Sequence, residues 1–288
     1  MSTSTSTSTS TSTSTSTSTS TSTVSTGASG GPRGRVGSDR TGGGFVGAFT
    51  SEWTKLWTVR TPYVCLLVGL VVTAVFTFYY GSIARINDKP IQPVGNASVS
   101  SVVLTQFALV ILAMTTVTSE YSTNSVRTSL LWVPVRPRVQ LAKALLCALV
   151  GFVTAMVWGV LGIALAWGPF RGHAEFELSK VAYQTVAMGV YSALICVMTV
   201  GVAFALRTAA GAVAMIFFVV SALPGMLVGL GGPVLLAINE YMPQTVGGYF
   251  MLGDGEAPFP DAVSVLILLV WAVAAHVAGL LVLRRRDA

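Results

Sequence analysis

Apolar and polar positions divide this chain into long blocks. Phe45, Phe49, Trp53 and Leu56 recur at steps of four, four and three, with Trp57 beside them and Glu52, Lys55 and Arg60 off the stripe. That is the period of an amphipathic helix. Its aromatic face, carried by Phe49, Trp53, Leu56 and Trp57, suits the membrane interface, and the expected helix occupies about 45–60. A cytoplasmic extension of the first span is the other reading of the same stretch. Pro62 marks a break, because proline disfavours helix at the residue before it.

Six apolar runs follow, at about 62–80, 99–118, 144–167, 181–206, 209–230 and 262–283. Each approaches the roughly twenty residues that cross a bilayer as a helix. None of the six contains Lys, Arg, Asp or Glu. Pro224, with Gly225 and Gly229 close by, predicts a kink or break within the fifth. The pattern predicts an all-α integral membrane protein with six transmembrane helices.

The first 44 residues differ in kind. Residues 2–23 alternate Ser and Thr without interruption, and a Gly-, Ser- and Arg-rich stretch follows. With almost nothing apolar to bury, such a segment cannot offset its ordering entropy and is expected to be disordered. It has no apolar core of the kind a secretory signal carries. Gly27, Ser29 and Gly31 fit G-x-S-x-G, and Gly42, Gly44 and Gly47 fit G-x-G-x-x-G. No strand precedes either, so both are chance matches in glycine-rich sequence.

Composition agrees with the hydropathy pattern. The 288 residues are 52% hydrophobic and 10% charged, with a mean hydropathy of +0.71, against about 25% charged in soluble domains. The formal charge of +6 reads as orientation and contact with anionic lipid rather than nucleic-acid binding. Cys65, Cys147 and Cys196 lie in apolar runs without disulfide or metal spacing. His173 and His276 are the only histidines, so neither a metal site nor a catalytic cluster is expected.

Placing the N-terminus inside puts 13 of the 17 basic residues on the cytoplasmic side: Arg33, Arg35, Arg40, Lys55, Arg60, Arg127, Arg136, Arg138, Lys143, Arg207, Arg284, Arg285 and Arg286. Arg85, Lys89, Arg171 and Lys180 remain outside. This bias predicts that both termini are cytoplasmic. The outer loop at 231–261 is the longest, and its apolar start, Val234 to Ile238, is too short to span again, leaving a surface helix or a re-entrant piece.

The polar interruption at 119–143 organises the chain. Span two ends at Thr118-Ser119-Glu120-Tyr121, and Asn124-Ser125 offers a turn followed by an N-cap. Val126, Leu130 and Val133 then recur at helical spacing up to Pro134, which predicts a helix of about two turns. One reading is an ordinary loop that fixes topology; another is a stiff helix that sits in a groove of a soluble protein and transmits its movement.

The segment resembles the first cytoplasmic loop of type-two ABC transporter permeases, the drug and polysaccharide export family. The matching residues are Glu120, Asn124-Ser125, Leu130-Leu131, Pro134, Arg136 and Lys143, with Asn124 where the family usually has Gly. SEWTKLWTVR at 51–60 resembles that family's interfacial connecting helix, and LRRRDA at 283–288 resembles the cytoplasmic end of actinobacterial members. The resemblance covers the permease domain at 45–288. It implies a bacterial plasma-membrane subunit that pairs with a second permease copy, as homodimer or heterodimer, and with separate ATPase subunits. ATP and Mg would be bound by that partner and no cofactor by this chain. It also implies coupling roles for Glu120, Asn124, Ser125, Arg127, Leu130, Leu131, Pro134 and Arg136.

The chain itself has no G-x-x-x-x-G-K-[ST] phosphate loop, as a subunit without its own ATPase would. Charge-free spans suggest an apolar to weakly polar path, with Phe107, Met114, Gln184 and Met188 as candidate lining and a hydrophobic or amphiphilic compound as cargo. An ion-coupled secondary transporter is the alternative, with His276 as its one titratable candidate in the spans. A membrane-embedded enzyme would need the clustered nucleophile, base or metal ligands that the acidic loop residues Asp254, Glu256 and Asp261 do not form.

Overall fold

A computed structural model describes residues 45–122, 136–255 and 257–286. Nine helices occupy nearly all of them: α1 (Phe45–Thr58), α2 (Thr61–Ile86), α3 (Gly95–Ser122), α4 (Arg136–Phe170), α5 (Leu178–Leu206), α6 (Ala209–Leu230), α7 (Pro233–Asn239), α8 (Pro243–Leu252) and α9 (Asp261–Arg286). Six of these, α2 to α6 and α9, are long and apolar enough to cross a membrane. The protein is thus a multi-pass membrane protein whose described residues are almost wholly helical.

Proline marks where several helices begin. Pro62, Pro233 and Pro243 each occupy the first turn of a helix, where the missing N–H costs nothing. The spans are longer than their apolar runs. Helix α4 has 35 residues, about 52 Å at 1.5 Å per residue, against a hydrocarbon core of about 30 Å. Its first turns, with Arg138 and Lys143, therefore project past the apolar run, as does the end of α3 with Glu120.

Helix α5 forms the centre of the bundle and packs along α4, α9 and α3. Small residues bring it close to its neighbours. At Gly201 a Cβ would come within 2.5 Å of the Ala275 backbone in α9, and at Gly189 within 2.9 Å of the Phe152 ring in α4. Lipid removes the hydrophobic drive between helices, so close backbone approach of this kind supplies much of the association. Helices α2, α6 and α9 bury only about a fifth of their spans and carry large apolar side chains outward, such as Leu67, Val71, Phe218 and Leu266.

Two departures from the sequence pattern shape the end of the bundle far from α1. The first is a two-stranded parallel pairing of Gln92–Pro93 with Ala174–Glu175, which ties the α2–α3 and α4–α5 loops together. The second lies in the long loop. Its apolar start forms α7, none of whose residues is buried. The following α8, with no clear sequence signal, buries Pro243, Val246, Gly247, Phe250 and Met251 against α5, α9 and α3. The interruption expected at Pro224 takes the form of a π-helical turn at Phe218–Ala222, just ahead of the proline.

Candidate functional site

Four charged side chains from three helices meet at the α1 end of the bundle. Helix α1 turns the face Ala48, Glu52 and Leu56 inward and packs against α4. Lys143 of α4 is 1% exposed. Its ammonium donates to Glu52 Oε2, to Glu120 Oε1 at 2.9 Å and to Thr116 O at 3.0 Å. Three partners use all three of its donors. Lys55 completes the set by bonding Glu52 Oε1 at 2.8 Å and Glu120 Oε1 at 3.1 Å.

Among the described residues two carboxylates meet two ammonium groups, which makes their burial tolerable. Desolvating an ion costs several kcal/mol, and only good geometry with further hydrogen bonds offsets it. The cluster grades from the interior outward, with Lys143 deepest and Lys55 about half exposed. Burial on its own would push the Glu52 carboxyl up, but Lys143 and Lys55 outweigh it and hold the group below the ordinary 4.5 of glutamate. Burial would likewise lower Lys55; Glu52 and Glu120 outweigh it and hold that ammonium above 10.5.

The position of this cluster gives it significance. Glu120 lies in the last turn of α3 and Lys143 in the second turn of α4, so their bond joins the two ends of the segment at 123–135. Glu52 and Lys55 fasten that junction to α1. Among the sequence candidates, Glu120 is within the cluster and Arg136 opens α4. Asn124, Ser125, Arg127, Leu130, Leu131 and Pro134, with the expected helix at 126–133, lie outside the described residues.

The expected aromatic stripe on α1 splits in the structure. Leu56 is buried, Phe49 and Trp57 are half-buried against the bundle, and Trp53 is exposed with its ring edge-on to Trp57. Glu52, read from sequence as part of the polar face, is buried instead. The helix has two inward flanks: an aromatic one, and one of small and apolar residues that carries the acid to its partners. The recurrence of Ala48, Glu52 and Leu56 at steps of four was the available signal.

The four candidate path residues do not share one surface. Phe107 packs at a tilt against Phe217 of α6 with ring centres 5.6 Å apart. Met114 and Met188 are buried in two different apolar clusters. Gln184 is fully buried and donates to Asn96 Oδ1 at 2.8 Å and to Leu252 O at 3.3 Å, so it braces the start of α3 against the end of α8. Asn96 is thereby engaged within the bundle. His276 of α9 accepts a hydrogen bond at its backbone oxygen from Gln140 of α4 at 2.8 Å.

A second polar cluster, which sequence reading missed, lies deep among the spans. Tyr191 of α5 donates to Gln106 Oε1 of α3 at 2.7 Å. Gln106 donates to Val103 O at 3.0 Å and to Gln244 Oε1 of α8 at 3.3 Å, and Ser221 in the π-turn donates to the same Gln244 oxygen at 2.8 Å. Gln106 is eleven residues into α3, about 16 Å along the helix, so α8 reaches well into the bundle. Gly247 permits this approach: a Cβ there would fall 2.2 Å from the Tyr191 ring.

No protein-family model matches this chain, and no curated protein matches it either.

Proposed function

We propose that this chain is the membrane-spanning permease subunit of an ATP-driven ABC transporter. It exports a hydrophobic or amphiphilic compound by alternating access, and a separate ATPase subunit supplies the energy. The observation that carries this reading is the ion cluster of Glu52, Lys55, Glu120 and Lys143. It closes both ends of one polar segment onto each other and onto α1. A segment held this way transmits a push to α1, α3 and α4 together, whereas an unbraced loop would absorb it.

The excess of basic residues at that end supports its placement on the cytoplasmic face of a bacterial plasma membrane, with both termini on the same side. An ATPase on that face, docked on Leu130 and Leu131, would move the segment when it binds and hydrolyses ATP. The resemblance also supports a second permease copy, with the outward apolar residues of the outer spans meeting that copy or lipid.

The test is affinity purification of the tagged full chain from its native membrane in mild detergent. An ABC ATPase recovered in stoichiometric amount supports the proposal. Recovery without any nucleotide-binding subunit, combined with transport that persists on a proton gradient after ATP depletion, sinks it in favour of ion coupling.

A further inference from the structure

The deep polar cluster borders a cavity of about 190 Å³ between α3, α5 and α8. Its walls include Val99, Val103, Met251 and Leu252, with Ser100, Gln106, Tyr191 and Gln244 as polar members. No charged side chain lines it. For scale, an apolar cavity of about 150 Å³ holds a benzene molecule, so this one admits the end of a small amphiphile.

The hydrogen bonds fix what the cavity offers. The Val103 carbonyl only accepts, so the Gln106 group facing it at 3.0 Å is the amide nitrogen. The same nitrogen approaches Gln244 at 3.3 Å, so the Gln244 atom there is its oxygen, and Tyr191 must donate to the remaining Gln106 oxygen. Gln244 Oε1 also accepts from Ser221, while its Nε2 donates to none of the described residues. The two N–H donors of this half-buried amide in the cavity wall meet no acceptor among the described residues. The nitrogen is accessible rather than sealed in, so an incoming acceptor can reach it.

The π-turn is an independent observation. Phe218–Ala222 departs from α-helical bonding just where Ser221 reaches Gln244, and π-turns in α-helices concentrate at functional sites.

The geometry points to a binding site for a small neutral amphiphile, one whose uncharged acceptor, an ester, ketone or ether oxygen, takes the Gln244 amide protons while its apolar part fills the Val99, Val103, Met251 and Leu252 walls. An ionised group would be stranded there, because no counter-charge faces the cavity. The site holds whether or not the chain couples to an ATPase.

The experiment uses the purified full chain in nanodiscs and methyl octanoate carrying a diazirine on its acyl chain, with labelled peptides mapped by mass spectrometry. Saturable labelling is expected within 99–106 and 244–252, competed by plain methyl octanoate. Octane, which lacks the acceptor, should compete about fivefold more weakly, and octylammonium not at all. Gly248 also lines the cavity, and a Cβ there meets nothing within 4 Å. Gly248→Leu should therefore fold normally and lose the labelling, while Gln244→Leu should weaken it about fivefold. Unsaturable labelling, labelling retained in a folded Gly248→Leu protein, or equal labelling of the same peptides by a diazirine-bearing phosphatidylcholine overturns the assignment.

Discussion

Lys143 and Glu52 are 91 residues apart in the chain, yet the buried ammonium of one is bonded to the carboxylate of the other. This pair fastens α1 to α4, and Glu120 extends the tie to α3. Lys143→Met would remove the deepest cation of the cluster and leave the Glu52 carboxylate without its buried partner. Removing one partner of a buried pair costs about 3–5 kcal/mol, so the unfolding midpoint in detergent should fall sharply. Adding Glu52→Gln removes the carboxylate that has lost its buried partner and should recover more than half of the loss. A double variant whose loss equals the sum of the two single losses would show that the ions act independently.

Acid should loosen the same junction. The Glu52 carboxyl is held below its ordinary 4.5, so its contribution is complete above that value and lost as pH falls through the lower, folded-state one. Lys55 is held above 10.5, so its contribution is complete below that value and lost as pH rises through the higher, folded-state one. Thermal stability should be flat between about pH 6 and 9 and decline below about 4.5. Glu52→Gln should blunt the acid limb. An acid limb unchanged by that substitution would assign it to other carboxylates.

The number and order of the spans were legible in the sequence because each is a long apolar run without charge. The cluster was only half legible. Resemblance singles out Glu120 and Lys143, but Glu52 and Lys55 lie off the apolar stripe and read only as its polar side, since periodicity cannot tell water from a buried counter-ion. Hydropathy ends a span at its first charge and so leaves Lys143 in a loop, whereas the α4 backbone continues outward to Arg136. Helix α8 was missed for a related reason. Its PQTVGGYFML mixes polar residues and glycines, and Gly247 gains its meaning only against the Tyr191 ring.

Close packing at Gly201 provides a further check. Gly201→Val places atoms against the Ala275 backbone, which has no side-chain freedom to yield, and overpacking of this kind typically costs about 1–3 kcal/mol. Gly225→Ala in α6 meets nothing within 4 Å and should be neutral or up to about 1 kcal/mol stabilising. Denaturation in mixed micelles would compare them, and equal effects would contradict the close α5–α9 contact.

The hydrogen bond from Tyr191 to Gln106 can be weighed in the same way. Hydrogen bonds between membrane helices average about 0.6 kcal/mol, so Tyr191→Phe should destabilise only slightly. Its larger effect should be on ligand labelling, because Gln106 and Gln244 would lose their fixed orientation. Strong destabilisation with unchanged labelling would make the cluster a packing device.

The central claim is that the segment at 123–135, held by the Glu52–Lys143 cluster, receives force from an ATPase. The most direct measurement is ATP hydrolysis by the co-purified complex in proteoliposomes, for the native chain and for Leu130→Ala/Leu131→Ala. The account predicts hydrolysis stimulated above that of the ATPase alone, with the stimulation lost in the variant while the chain still inserts and unfolds at its native midpoint. Stimulation of equal size in the variant, or none with the native chain, would contradict it.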